Sequence, residues 1–253
     1  MDTRIEIRVL LISILFLIPL TAGLTTYVVL QARENSGLST DINGFTTPKW
    51  VGGLVAITEE SLVTINCQEE IGSGFSYGLD NTDVANGFEF RSEDAKTAPS
   101  LVITNLHVVD ACLSSRRVSV IGFDKTKSEG RILEIDELND LAMIRIESII
   151  PSLFGAYAKP VPGYWAMAMG SPHNFTGSVT FGNIINLDAT EVFHTASLSP
   201  GNSGGPLSDN EGYLLGVNTG AKPIGQNFNI SIGINAFCDR LIECTKRKYW
   251  TEK

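Results

Sequence analysis

Hydrophobic and polar positions divide the chain into three stretches of unlike texture. Between Val9 and Gln31 there is no charged side chain, and Val9–Leu30 (VLLISILFLIPLTAGLTTYVVL) is mostly Leu, Ile and Val. As a helix it spans roughly 33 Å at about 1.5 Å per residue, close to the ~30 Å hydrocarbon thickness of a bilayer. A helix this apolar on every side has no face to give to water, so a transmembrane segment is expected over 9–30 rather than a core helix. A cleaved signal peptide would use Arg4 and Arg8, then Val9–Leu20, then Thr21-Ala22-Gly23 as a cleavage site. The apolar run continues beyond that site through Tyr27–Leu30, which favours a retained signal anchor. Residues 1–8 then form a cytoplasmic N-terminus and the bulk of the chain faces the cell exterior or periplasm. Gln31–Lys49 is polar, rich in Gly, Ser and Thr and without periodicity, which predicts a linker.

From Trp50 onward, short runs rich in Val, Ile and Phe recur between Gly, Asn, Asp and Ser. One set comprises Leu62–Asn66, Leu101–Thr104, Val118–Phe123, Arg131–Ile135 and Leu141–Ile146. A second comprises Tyr164–Met169, Ser178–Asn186, Val192–Ala196, Tyr213–Asn218 and Asn227–Ile234. Strands at this spacing, with few long 3.6-residue periods between them, predict an all-β sandwich or barrel. Pro151–Gly163, with three prolines and two glycines, reads as a crossing segment between two similar β units, about 50–150 and 151–236. Asn235–Lys253 is the best remaining helix candidate, placing Phe237, Leu241 and Ile242 on one face of a helix over about 235–250. Ser76–Pro99 reads as a polar surface insertion.

Composition narrows the classes. Of 253 residues, 43% are hydrophobic and 19% charged, enough to bury a core and too apolar for a disordered chain. The net charge of −9 argues against a nucleic-acid footprint, which needs clustered Lys and Arg. With three histidines and scattered carboxylates no zinc-ligand spacing emerges, and no metal or cofactor is expected.

Three short stretches carry chemistry. Gly201-Asn202-Ser203-Gly204-Gly205-Pro206 puts a serine in a tight, glycine-flanked turn, where backbone N–H groups can converge beside the hydroxyl as an oxyanion hole requires. Thr104-Asn105-Leu106-His107-Val108-Val109 puts a histidine just after an apolar strand, and Asn139-Asp140-Leu141-Ala142 a carboxylate just before one. A serine hydroxyl is a weak nucleophile until a base takes its proton, and a carboxylate must hold that base in one tautomer. By composition alone Asp136 could replace Asp140. Of the other histidines, His173 reads as a solvated loop residue. His194 reads as a strand histidine, with contact to an acidic substrate side chain as the alternative.

The sequence resembles the chymotrypsin-fold serine proteases, and within them the trypsin-like peptidases of the HtrA/Deg type. The resemblance covers roughly Val51 to Ala236. It rests on Gly72-Ser73-Gly74-Phe75, the His107 and Asp140 motifs, Gly170-Ser171-Pro172, Gly201–Pro206, Gly216-Val217-Asn218-Thr219 and Asn227–Ile232. It implies two antiparallel six-stranded β-barrels around a cleft, with His107 and Asp140 from the first and Ser203 from the second. His107 is then general base and acid, Asp140 its orienting partner and Ser203 the nucleophile. Gly201 and Ser203 donate the oxyanion-hole N–H groups, with Asn202 between them. Pocket walls fall at Ser197, Leu198, Val217, Asn218 and Thr219, with no acid placed to greet Lys or Arg, so small or medium apolar side chains are expected before the scissile bond. Polypeptides are the implied substrates, and a homo-oligomer is suggested. The peptide-sensing PDZ domain common in the family has no room after the expected helix. Trp50-Val51-Gly52-Gly53 is similar to the new N-terminus of an activated zymogen, but the Asp that would receive its amine is replaced by uncharged Asn202, so cleavage at Lys49 is rejected. The resemblance also places Cys67 near Cys112, implying a disulfide that braces His107 and fits an oxidising exterior. Cys238 and Cys244 are too far apart on a regular helix to bridge and pair only if that helix breaks between them.

Overall fold

The computed structural model describes residues 42–172, 175–221 and 228–250. The expected membrane segment 9–30, most of the linker and His173 lie outside these residues. Among the described residues, no helix is long and apolar enough to cross a membrane.

Fourteen strands, most of them short, dominate the described residues. In the first half they are β1 (Leu62–Cys67), β2 (Glu70–Ser76), β3 (Phe88–Phe90), β4 (Ser100–Thr104), β5 (Arg117–Gly122), β6 (Lys127–Asp136) and β7 (Leu141–Ile146). All but β3 close into an antiparallel barrel in the order β1-β2-β4-β7-β6-β5. The second half supplies β8 (Trp165–Gly170), β9 (Ser178–Leu187), β10 (Glu191–His194), β11 (Pro206–Ser208), β12 (Leu214–Ala221), β13 (Asn229–Gly233) and β14 (Ile242–Cys244). Its barrel runs β10-β13-β12-β11-β8-β9. Two closed six-stranded barrels follow from runs that are β-branched on the buried face. In β4 all five residues are buried, and β1 and β7 are buried at five of six positions. Strands buried on both faces read as continuous apolar runs, which is why these were visible in the sequence. β2 was not, because Gly72 and Gly74 occupy positions where an added Cβ would meet Val108 or Val102 and Ile65 within 3 Å.

Among the described residues four short helices punctuate the sheets: α1 (Val51–Ser61), α2 (Asn81–Ala85), α3 (Glu93–Lys96) and α4 (Leu106–Val109). In α1, Leu54 packs against Trp165, Met167 and Met169 of the second barrel. Nothing in the pattern announced this helix, whose apolar and polar positions alternate without a clear stripe.

Two expectations are corrected here. The helix over 235–250 is absent: Ile234–Phe237 makes one 3-10 turn, and the chain then bends into β14, which pairs with β3. The bend carries Asp239 at φ +64° and brings Cys238 and Cys244 to a Cα separation of 5.4 Å, where they form a disulfide. Phe237, Leu241 and Ile242 are all fully buried, so they serve a core rather than one stripe of a surface helix. No regular helix runs between the cysteines, so the condition under which they can pair is met. Nor is 76–99 merely a surface insertion. It folds into α2, β3 and α3 and sends Tyr77, Phe88 and Ala95 into the main core cluster with Phe237 and Tyr249. An Asp80–Asp83 capping box starts α2, and buried Asp83 accepts hydrogen bonds from Tyr157 (2.5 Å) and Tyr249 (3.1 Å), tying the excursion to the crossing segment and the tail.

Candidate active site

β4 ends at Thr104, and the chain turns at Asn105 into the single turn of α4, which carries His107 at its exposed side. Asp140 sits immediately before β7 in the left-handed region, at φ +52°, a conformation that Asp and Asn tolerate better than most side chains. This geometry turns the carboxylate back onto α4. Its Oδ1 accepts the His107 backbone N–H at 2.9 Å, and its Oδ2 lies 2.7 Å from His107 Nδ1. The Asp140 carbonyl accepts Leu106 N–H at 3.1 Å and Asn105 Nδ2 at 2.9 Å. The Asp140 hydrogen bond raises the imidazole pKa above its usual value; partial burial opposes this, and the Asp140 and Glu70 charges add to it. Asp136 plays another part. Its buried carboxylate accepts Leu138 N–H, Asn139 N–H and Asn139 Nδ2, building the β6–β7 turn that presents Asp140.

The Ser203 turn is built from both sides. Within it, Asn202 N–H donates to Ser199 O (2.9 Å) and Gly205 N–H to Asn202 O (3.0 Å), with Gly201 at φ +97° and Gly204 at φ +85°. A Cβ on Gly204 would lie 2.1 Å from Ser73 O and 2.2 Å from Thr104 Oγ1, so only glycine fits. The first barrel grips the turn through buried Ser73: its N–H donates to Ser203 O (2.8 Å), its Oγ to Gly201 O (2.6 Å), and its carbonyl accepts Thr104 Oγ1 (2.7 Å). The second barrel grips it through Asn218, whose carbonyl accepts Gly204 N–H (2.8 Å) and whose N–H donates to Gly205 O (2.7 Å). Among the described residues neither Gly201 N–H nor Ser203 N–H has an acceptor, so both remain available to an oxyanion. The Asn202 N–H is spent inside the turn.

The Ser203 hydroxyl donates to the Thr219 carbonyl at 3.0 Å. Thr219 is the extra residue of a bulge, where the β12–β13 register shifts between Asn218 and Gly220, and such bulges re-aim the backbone. Asn105 fastens the same residue from the other barrel, its Nδ2 lying 2.5 Å from Thr219 Oγ1. Ser73 and Asn105 both stand inside the recognised motifs, yet nothing in the motifs singles them out, because their roles depend on contacts more than 100 residues away.

Beside Ser203 a cavity of about 280 Å³ is lined by Leu198, Ser199, Pro200, Ser203 and Gly220. Of the expected pocket walls only Leu198 is among them. Val217 and Asn218 are fully buried, the last two residues of a stretch of β12 from Leu214 that is buried at every position. Ser197 is exposed and its carbonyl accepts Thr180 Oγ1, while Thr219 faces Asn105 and Ser203. Cys67 and Cys112 form a disulfide with Cα atoms 5.8 Å apart, joining β1 to the segment after His107. No cluster of three or more metal-ligating side chains occurs among the described residues.

Two antiparallel barrels with a histidine–aspartate pair on one and a glycine-held serine on the other define the architecture of a chymotrypsin-like serine hydrolase. The family of trypsin-like peptidase domains matches residues 72–217, more than half of the chain, and the protein belongs to that family. Similar proteins include the putative serine protease HhoB of Synechocystis sp., 32% identical over 147 residues, covering 53% of this chain and 35% of that protein. A probable periplasmic serine endoprotease, DegP-like, of Chlamydia pneumoniae is 33% identical over 159 residues (56% and 32%). Serine protease HTRA1B of Danio rerio is 32% identical over 163 residues (58% and 33%). The chain thus spans about a third of the length of these curated relatives. Among solved structures, the serine endoprotease from Yersinia pestis shares the fold, with a TM-score of 0.57 and 24% identity, covering 74% of this chain and 64% of that one.

Proposed function

We propose that the protein is a serine endopeptidase of the HtrA/Deg type whose catalytic groups are Ser203, His107 and Asp140. The observation that carries this reading is the 2.7 Å His107–Asp140 pair, together with a serine turn whose Gly201 and Ser203 N–H groups lack acceptors. In the reaction Ser203 Oγ leaves the Thr219 carbonyl and passes its proton to His107 Nε2 while attacking the peptide carbonyl. The Gly201 and Ser203 N–H groups hold the oxygen that becomes negative. His107 then gives the proton to the departing amine as the C–N bond breaks, leaving an acyl-enzyme on Ser203. Water, deprotonated by His107, releases the acid and restores the hydroxyl. Asp140 fixes the Nδ1–H tautomer and stabilises the imidazolium. The largely apolar walls of the cavity formed by Leu198, Pro200 and Gly220 suit a small or medium apolar side chain before the scissile bond.

In this reading the protease domain stands outside the cytoplasm, tethered by residues 9–30, acts on polypeptides and assembles with copies of itself. Two disulfides and a relative named as periplasmic support an oxidising compartment. A second reading, a catalytically silent module that binds exposed polypeptide, draws on one observation: the Ser203 hydroxyl is bonded to Thr219 O. Fluorophosphonate labelling of the intact chain, paired with casein hydrolysis, separates the two. Labelling and turnover that both vanish in Ser203→Ala establish the peptidase; a folded wild-type chain that does neither is the silent module. Carbonate extraction of membranes with N-terminal sequencing tests the tether, and a mature start at Leu24 would refute it.

A further inference from the structure

The buried face of the second barrel carries a row of polar side chains. His194, Asn218 and Ser231 are fully buried and Asn229 is 4% exposed. Cross-strand register sets His194 opposite Asn229 and Asn218 opposite Ser231, with Ser231 two residues along from Asn229, so all four share one face of the sheet. Their hydrogens can be assigned from the far end. Asn218 Nδ2 donates to the Met169 and Pro206 carbonyls at 2.9 and 3.0 Å, so its Oδ1 is the acceptor for Ser231 Oγ at 3.0 Å. A hydroxyl has one proton, so Ser231 Oγ accepts from His194 Nε2, also 3.0 Å away. His194 is therefore the Nε2–H tautomer, with a bare lone pair on Nδ1. Burial pushes its pKa down to about 4 against a backbone contact at Ala196, which keeps the ring neutral.

Two side-chain atoms of this row have no hydrogen-bond partner: His194 Nδ1 and Asn229 Nδ2. One is an acceptor and the other a donor, on directly opposed residues whose Cβ atoms in such a pair stand about 5 Å apart. Paired, Asn229 Nδ2 would donate to His194 Nδ1 and the row would run unbroken. The row then ends at both functional loops. Asn229 Oδ1 accepts the N–H of Leu198, which lines the cavity beside Ser203, at 3.1 Å. At the other end the Asn218 backbone, whose carbonyl and N–H bond Gly204 and Gly205, holds the two residues that follow Ser203.

We propose that His194 is a positioning residue: by linking Asn229 to Ser231 and Asn218, it fixes the Leu198 wall of the specificity cavity relative to the Ser203 turn. The ring touches no substrate, and the acidic-side-chain contact considered for it from sequence is excluded by its full burial in this structure. Non-directional packing alone would hold the sheet together. Directional bonds from strand interior to loop also set where each loop stands. The inference rests on the peptidase reading for its kinetic consequence, though not for its structural one.

The test compares His194→Leu, which removes both polar ends, with His194→Gln, which offers a donor to Ser231 and an acceptor to Asn229. Each is made in the full chain and assayed on fluorogenic peptides varied at the residue before the scissile bond. Amide 1H–15N spectra report the positions of Leu198 and Gly204. The expected result is that His194→Leu loses discrimination between the preferred residue and one a methylene different by about tenfold, the size of one pocket contact. KM rises more than kcat falls, both amide signals shift, and His194→Gln restores all of these. A folded His194→Leu protein with unchanged discrimination and amide signals overturns the proposal, as does a folded His194→Gln protein that behaves like Leu. If His194→Leu fails to fold, Asn229→Ala breaks the row at its other joint, and the readout is then the Gly204 amide, which shifts if the row links the two loops and stays put if Asn229 holds Leu198 alone. A wild-type chain inert to every peptide and to fluorophosphonate defeats the peptidase reading alone, since the amide shifts still decide the linkage.

Discussion

The two barrels share a strand order but solve different problems, and their interiors differ accordingly. The first is lined by Val63, Ile65, Val102, Val118, Val120, Ile132 and Ile144, an aliphatic cluster with Cys67 and Cys112 at its edge. Its proposed catalytic pair needs little more than a stable platform, because His107 and Asp140 lie at adjoining strand ends and are fixed by local contacts, Asp140 Oδ1 accepting the His107 N–H and Asp140 O the Leu106 N–H. The second barrel must hold a turn and a cavity wall that have no regular structure of their own. It carries His194, Asn218, Asn229 and Ser231 in one row on its buried face, whereas the first barrel's buried Ser73 and Asn105 reach outward to the serine turn and Thr219. Packing fixes how closely elements approach, whereas hydrogen bonds also fix direction. A loop that must aim two N–H groups at one point requires the latter.

The contrast can be broken most forcefully at the reacting groups. Ser203→Ala or His107→Ala should lower turnover by about 10⁴ to 10⁶-fold with the fold intact by circular dichroism, and Asp140→Asn by about 10⁴-fold. The same Asp140→Asn variant tests the electrostatics. In the proposed mechanism the base works neutral, so its raised pKa lifts the acid limb of kcat/KM above that of an ordinary imidazole, and removing the carboxylate charge should move that limb to lower pH. Next come the covalent braces. Replacing both Cys67 and Cys112 by serine should cost about 4 kcal/mol in urea denaturation, against about 2 for the Cys238–Cys244 pair, because their loops differ in length, 45 residues against 6. Equal losses would show that loop length does not set what each brace contributes.

His194 offers a subtler probe of the polar barrel. The unfolded ring takes up a proton below about pH 6.5, while the folded one resists until about 4, so wild-type stability falls as pH drops through that window. His194→Gln lacks this loss, and its stability relative to wild type should improve by about 2 to 3 kcal/mol between pH 7.5 and 4.5. Asn105→Ala should give the smallest effect, about 1 to 2 kcal/mol, by cutting the strap between the Asp140 carbonyl and Thr219. A loss confined to activity would mean that the strap aims groups without holding the barrels together.

How much of this was legible depended on whether the responsible interaction was local. The strands of buried β-branched residues could be read because burial on both faces leaves a continuous apolar run. The serine turn could be read because left-handed and close-packed backbone demands glycine at 201 and 204. The choice between Asp140 and Asp136 could not, since both are carboxylates near the same strand; which one turns onto His107 is settled by the backbone at 140. The expected C-terminal helix had the right apolar residues, but a disulfide and a strand partner 150 residues away claimed them. Val217 and Asn218 stood in the right motif, yet both are fully buried, and among the described residues of β12 the cavity is lined by Gly220. Ser73 and Asn105 look ordinary until the opposite barrel arrives.

The left-handed backbone at Asp140 also shapes what mutation can do to this protein. Few side chains accept that conformation, and the one that does so with nearly the shape of aspartate is asparagine, a single nucleotide change from either aspartate codon. A lineage can therefore step from scissors to a well-folded decoy without crossing an unstable intermediate, and the reverse step is equally short.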